Sequence, residues 1–270
     1  MSHLAISNIA WTAEEDEDAY ALLAKKGVRQ IEIAPPRFFS DSAHVSDEAV
    51  ETVLARLRQA GLQVVAFQAI LFGKADLLLF DPATRPTLAF YLCKMASLCA
   101  RLGAKTMVFG APGNRRIPDH LPAGEAREVA IDFFRQIGAC AAEQGVVFGI
   151  EANPAAYQCN FLTHAAEVIE LVRAIDSPGV RWHLDAGELA MNEEKIEAVI
   201  DEGHDLICHT HLSEAMLAGF ANPWPGHSRM VNALKKTGYT SSFSLEMKRQ
   251  PDGLASVAQA IDFAQSLDLR

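Results

Sequence analysis

"AEQGVVFGIEANP", residues 142–154, decides the fold. It reads as a helix end, a glycine, a run of strand formers, and an acid just before a turn. Gly145 suits the left-handed residue that closes a helix before the chain enters a strand. The same junction recurs in "AKKGVRQIEIAP", "RQAGLQVVAFQ", "ARLGAKTMVFG", "DSPGVRWHLDAG", "IDEGHDLICHTHL" and "KKTGYTSSFSLEM". The glycines are Gly27, Gly61, Gly103, Gly145, Gly179, Gly203 and Gly238, at intervals of 34, 42, 42, 34, 24 and 35 residues. Each interval is close to one strand-helix unit. With "LAISNIAW" near the start, eight strands are predicted.

The segments between junctions carry helical spacing. "AAEVIELVRAI" places Val168, Leu171, Val172 and Ile175 on one face, with Thr163 as the expected cap, and "SDEAVETVLARLRQAG" opens on Ser46. Strands alternating with helices pair in parallel through crossovers. Eight units without a Pro/Gly/Ser linker predict one α/β domain over 1–270, a (β/α)8 TIM barrel. Gly73–Arg85 and Pro112–Gly124 read as long loops, placed for substrate contacts.

Composition narrows the function. The chain has 270 residues, half of them hydrophobic, and a formal net charge of −10. That balance opposes nucleic-acid or anionic-membrane binding, which needs a positive field. Five cysteines without a C-x-x-C pair read as reduced thiols in a cytoplasmic protein. "MSHLAISNIAW" has no basic region followed by a long apolar core, so no secretory signal is expected. The greasy run "VVAFQAILFG" is too short for a bilayer, which needs about 20 residues. No Walker loop or G-x-G-x-x-G points to a nucleotide cofactor, and no serine or cysteine triad is evident.

A barrel of this kind keeps its active site at the C-terminal strand ends. Four successive predicted strands carry Glu151, Asp185, His211 and Glu246 there. Two residues earlier on the same faces lie Gly149, His183, His209 and Ser244, the two histidines reading as hydrogen-bonded core residues. Three carboxylates and an imidazole converging inside a barrel repel one another unless a cation holds them. The oxygen-rich set suits one divalent ion, Mn²⁺, Mg²⁺ or Co²⁺, with Zn²⁺ less well matched.

On "GIEANP", "WHLDAGE", "HTHLSE" and "SLEMK" the chain resembles the xylose-isomerase-like TIM-barrel superfamily, in the sugar isomerase/epimerase branch with ketose 3-epimerases and inosose dehydratases. The resemblance covers essentially the whole chain. It implies a metal on Glu151, Asp185, His211 and Glu246, and a catalytic pair, Glu151 and Glu246. These would move a proton beside the carbonyl of a sugar, sugar phosphate or sugar acid through a metal-stabilised enediolate. It also implies a homodimer or tetramer. Two positions depart from the ketose epimerases: Glu188 replaces a histidine after the strand-six aspartate, and "SEAMLAGF" lacks the usual arginine.

Substrate contacts are expected from Gln68, Asn114, Arg115, Arg116, Asn153, Glu188 and Lys248, the cations suiting a phosphate or carboxylate. Lys248 shares the face of Glu246 if its strand runs that far. Glu32 reads as interior, or as the partner of an Arg or Lys, and His227 as a surface residue or one lining the mouth. Three alternatives stand beside the epimerase. A dehydratase would use the same metal, with Glu188 or His227 as proton donor. A DNA-repair endonuclease would need a histidine-rich metal cluster and a basic surface, which the charge opposes. A sugar-binding barrel would use the site without chemistry.

Overall fold

All seven glycine junctions lie where a helix gives way to a strand in the computed structural model, which describes residues 4–269. Residues 1–3 and 270, the ends of the expected 1–270 domain, lie outside the described residues. The strands are β1 (Leu4–Ser7), β2 (Gln30–Ile33), β3 (Gln63–Phe67), β4 (Thr106–Phe109), β5 (Val147–Glu151), β6 (Val180–Asp185), β7 (Ile207–Ser213) and β8 (Phe243–Glu246). They pair in sequence order as a closed barrel, and β1 meets β8 in parallel through Leu4↔Phe243, Ala5↔Ser244 and Ile6↔Leu245. The expected eight-stranded barrel is what forms.

Around it run α1 (Asp16–Lys25), α2 (Asp47–Gln59), α3 (Arg85–Arg101), α4 (Ala123–Glu143), α5 (Ala165–Ile175), α6 (Ala186–Met191), α7 (Ile196–Gly203), α8 (Gly226–Lys236) and α9 (Leu254–Gln265). Their apolar faces cover the outward residues of the strands. On β5 and β6 these are Phe148, Ile150, Trp182 and Leu184, all with no exposed surface. Alternation then turns Gly149, Glu151, His183 and Asp185 to the barrel interior. The polar residues of the site therefore follow from where the apolar ones must go.

Two local expectations change. Ser46 caps α2 by accepting the Ala49 N–H at 3.2 Å, but Thr163 does not cap α5. That helix begins after His164, and the Glu167 carboxylate takes the Thr163 N–H at 2.6 Å. The glycines also divide into two kinds. Gly145 and four others adopt positive φ, the conformation the junction needs. Gly179 and Gly203 do not. A side-chain carbon on Gly179 would strike the carbonyl of Gly138 on α4, and one on Gly203 would meet Ile169 and Trp182 at 2.6 and 2.7 Å. Close packing selects glycine there. All five cysteines are free.

Candidate metal centre and cavity

Parallel register staggers the four strand-end residues. Glu151 is level with His183, Asp185 with His211, His211 with Ser244, and Ser213 with Glu246. Strand tilt in a closed barrel removes this stagger in space, so residues offset along the ladder converge at one end. His211 Nδ1 lies 3.1 Å from Glu246 Oε2 and 3.7 Å from Asp185 Oδ2, and makes no hydrogen bond to either. Ligating atoms of Glu151, His183, Asp185 and His211 all fall within 4.8 Å of one another.

The surroundings hold these groups in place. Asp185 caps α6, its Oδ1 accepting the Glu188 N–H at 2.7 Å, while its Oδ2 accepts the Ser213 hydroxyl at 2.5 Å. Ser213 in turn accepts the Gly187 N–H at 2.9 Å. Gly110, just past β4, leaves room for Glu151, whose Oε2 would collide with any side-chain carbon at that position.

Charge is crowded here. Burial, then the charges of Asp185 and Glu246, push the Glu151 carboxyl up to about 8. Burial and then Glu246 also raise Asp185. For His211, burial disfavours the charged ring, but Glu32 and then Glu246 outweigh it and hold the imidazole well above its ordinary range. Left to themselves, these residues retain protons to relieve their repulsion. A divalent cation among an unbonded imidazole nitrogen and three carboxylates relieves it without protons, so the donor set fits a metal.

Above this cluster opens a cavity of about 320 Å³, lined in part by Glu151, Asp185 and Glu246. Gln68, Asn114, Asn153 and Glu188 line it as well. Glu188 is the most unusual. It is 2% exposed, neither carboxyl oxygen has a partner, and burial followed by Asp185 and Glu151 raises it well above the ordinary range. Asn153 leaves Oδ1 free after donating to the Ala152 carbonyl, and Gln68 donates to Ser7 Oγ at 2.6 Å. Asn114 ties two loops together by donating to the carbonyls of Lys74 and Leu77 at 2.7 and 2.8 Å.

The expected cations are not in the cavity. Arg115 is fully buried, donating to the carbonyls of Phe109 and Leu162 at 3.4 and 3.5 Å. Arg116 is exposed and donates to the Gln158 carbonyl at 2.8 Å. Strand β8 stops at Glu246, so Lys248 never gains the face it would need and stands exposed. Arg249 pairs with Glu15 at 2.8 Å. His227 also departs from its expected place: it is buried, 2.8 Å from Glu214 Oε1, and braces that carboxylate instead of lining the mouth. His183 was expected to be hydrogen-bonded, yet neither ring nitrogen has a partner.

Sequence reasoning missed Glu214 and Tyr157, which line the cavity. Glu214 directly follows β7, three residues after His211, and that position was its only signal. Tyr157 gave none; its hydroxyl accepts the Met216 N–H at 3.0 Å across a loop contact.

Comparison with known proteins places the fold in context. The family profile described as xylose isomerase-like TIM barrel matches residues 20–267. D-psicose 3-epimerase from Clostridium cellulolyticum H10, solved with D-tagatose, is similar at a TM-score of 0.82 and 17% identity, over 100% of both chains. The E. coli 3-keto-D-glucoside 4-epimerase YcjR is similar at 0.80 and 16%, over 98% of this chain and 100% of that one. An AP endonuclease, family 2, from Brucella melitensis gives 0.76 and 17%, over 96% and 99%. A search of curated proteins finds no match.

Proposed function

We propose that this chain, which belongs to the xylose isomerase-like TIM-barrel family, is a divalent-metal-dependent epimerase or isomerase of an uncharged sugar. The observation that carries this reading is the convergence of Glu151, Asp185, His211 and Glu246 beside one cavity. These four would hold Mn²⁺, Mg²⁺ or Co²⁺. A divalent ion there, when bound, supplies charge against the negative charge that grows on the substrate oxygens as a proton leaves.

Glu151 and Glu246 stand on β5 and β8, with β6 and β7 between them, so they approach a substrate from different walls. One carboxylate takes the proton from the carbon beside the carbonyl. The other returns a proton to the opposite face, which inverts that carbon. Glu188 and Asn153 have free polar atoms for sugar hydroxyls, and Ile70, Leu71 and Leu217 supply an apolar wall.

The uncharged substrate follows from the lining. Among the described residues it includes five carboxyl groups, Glu151, Asp185, Glu188, Glu214 and Glu246, and no Lys, Arg or His. A phosphate or carboxylate would meet no counter-charge except the metal. That disfavours the sugar phosphates and sugar acids. The fold neighbours named for D-psicose and a 3-keto-glucoside support a carbonyl-bearing sugar. The test is C–H exchange in D₂O with Mn²⁺, followed by NMR over a panel of free ketoses, sugar phosphates and sugar acids. Exchange with free ketoses alone is expected; exchange confined to the anionic sugars would overturn the substrate assignment.

One observation favours a second reading. A buried, unpartnered Glu188 that holds its proton is placed to protonate a departing hydroxyl, which would make the reaction a dehydration. Deuterium uptake without loss of mass supports the epimerase, and loss of water supports the lyase.

A further inference from the structure

Beneath the cavity lies a second polar layer. Glu32 on β2 is fully buried and does not line the cavity. Sequence reasoning offered it an Arg or Lys partner; its partners are imidazoles. His211 Nε2 lies 2.9 Å from Glu32 Oε2, His209 Nε2 lies 3.5 Å from Oε1, and the Ser244 hydroxyl donates to Oε2 at 2.6 Å. The opposite nitrogen of His211, Nδ1, faces Asp185 and Glu246.

A neutral imidazole carries one N–H, on whichever nitrogen its surroundings stabilise. A buried carboxylate accepts and cannot donate. It therefore keeps a proton on Nε2, and with a cation bound among Asp185, Glu246 and Glu151 the Nδ1 lone pair would be left to meet it. The reverse tautomer would set a bare nitrogen against a buried anion.

We propose that Glu32 is a positioning residue for the metal centre, holding His211 as the Nε2–H tautomer so that Nδ1 is the donor atom. The proposal rests on the metal reading above. Ser244 is the part of this arrangement that orients Glu32, through a hydrogen bond that spans 212 residues of chain. Carboxylates behind ligating histidines typically raise metal affinity by about 10–100-fold.

The experiment is calorimetric titration of metal-free protein with Mn²⁺ and with Co²⁺, for wild type, Glu32→Gln and Glu32→Asp. Gln keeps the shape and removes the charge. Wild type is expected to bind one ion per chain, and Glu32→Gln to bind it about 10–100-fold more weakly, with Glu32→Asp between them. The Co²⁺-loaded wild type is expected to show one exchangeable, hyperfine-shifted imidazole N–H that is absent or moved in Glu32→Gln. A merely structural Glu32 would lower the Tm of the metal-free variant while leaving Kd and that resonance unchanged, which would overturn the proposal. Two ions in wild type, with the second lost in Glu32→Gln, would also overturn it, because Glu32 would then be a ligand alongside His209. If wild type binds no ion, the metal reading itself fails and takes this inference with it. Should Glu32→Gln be insoluble, Glu32→Asp decides by the same criteria.

Discussion

The two halves of the barrel end differently. Strands β1 to β4 finish on Ser7, Ile33, Phe67 and Phe109, whereas β5 to β8 finish on Glu151, Asp185, Ser213 and Glu246. One half terminates in apolar or small groups and feeds long connections, 68–84 and 110–122, that wall the cavity with Ile70, Leu71 and Pro112. The other half terminates in acids and hydrogen-bonding groups. A closed barrel thus separates two tasks around one rim: concentrating charge, and shaping the space beside it. Glu32 is the exception, a first-half acid reaching the second half from below.

That contrast breaks first at the catalytic pair. Glu151→Gln and Glu246→Gln are each expected to lower the rate of C–H exchange by about 10²–10⁴-fold. Metal content by mass spectrometry is expected to fall in Glu246→Gln; if both metal and exchange survive that change, the site assignment is wrong.

A pH experiment tests how charge is stored in the second half. In metal-free protein Glu151, Asp185 and Glu188 keep protons that the unfolded chain has lost, and His211 keeps one above its ordinary range. The folded state then binds more protons than the unfolded one above the ordinary carboxylate value of 4.5, so stability falls as pH rises toward about 8. Glu32 acts oppositely; burial opposes its charge, but His211 and then His209 hold it well below 4.5, so its contribution is lost only as pH falls under that value. Thermal melts in chelator are expected to show Tm declining from pH 5 to 8. Divalent ions displace protons, so their affinity is expected to rise over the same window. A flat Tm profile would show that the carboxyls are not crowded as described.

Smaller effects sharpen the boundary between the halves. Glu188→Gln is expected to raise KM by about 2–10-fold, as for a lost hydrogen bond between uncharged groups, with metal stoichiometry unchanged. Asn114→Ala removes one buried and one half-buried hydrogen bond and is expected to cost about 2 kcal/mol in urea unfolding while retaining metal affinity. Arg116→Ala and Lys248→Ala are expected to stay within about 0.5 kcal/mol of wild type and leave KM unchanged. A large KM effect from either would return a cation to the substrate site.

The barrel and the four strand-end residues were legible because both rest on local pattern. Gly145 and Glu151 announce a helix end and a strand end within thirteen residues. The layer beneath was not legible, because the Glu32–His211 contact joins residues 179 apart. Alternation tells which face of a strand a residue takes, but the stagger between strands decides what it meets. Lys248 failed on a boundary of two residues, beyond what apolar alternation resolves. Arg115 failed differently: a basic loop residue normally seeks water, yet this one turns inward to backbone carbonyls.

The pairing of β1 with β8 sets an order of events. Glu246 arrives with β8, which joins β7 on one side and β1 on the other, the latter at Leu4↔Phe243, 239 positions apart. Until then both strands are open edges, able to pair with other chains. During synthesis the centre is therefore completed last, when β8 leaves the ribosome, and a chain stalled before Phe243 carries three of the four donors on an unclosed sheet. Early metal would meet a half-built site, and the edge left open would make nascent chains prone to associate before they can bind it.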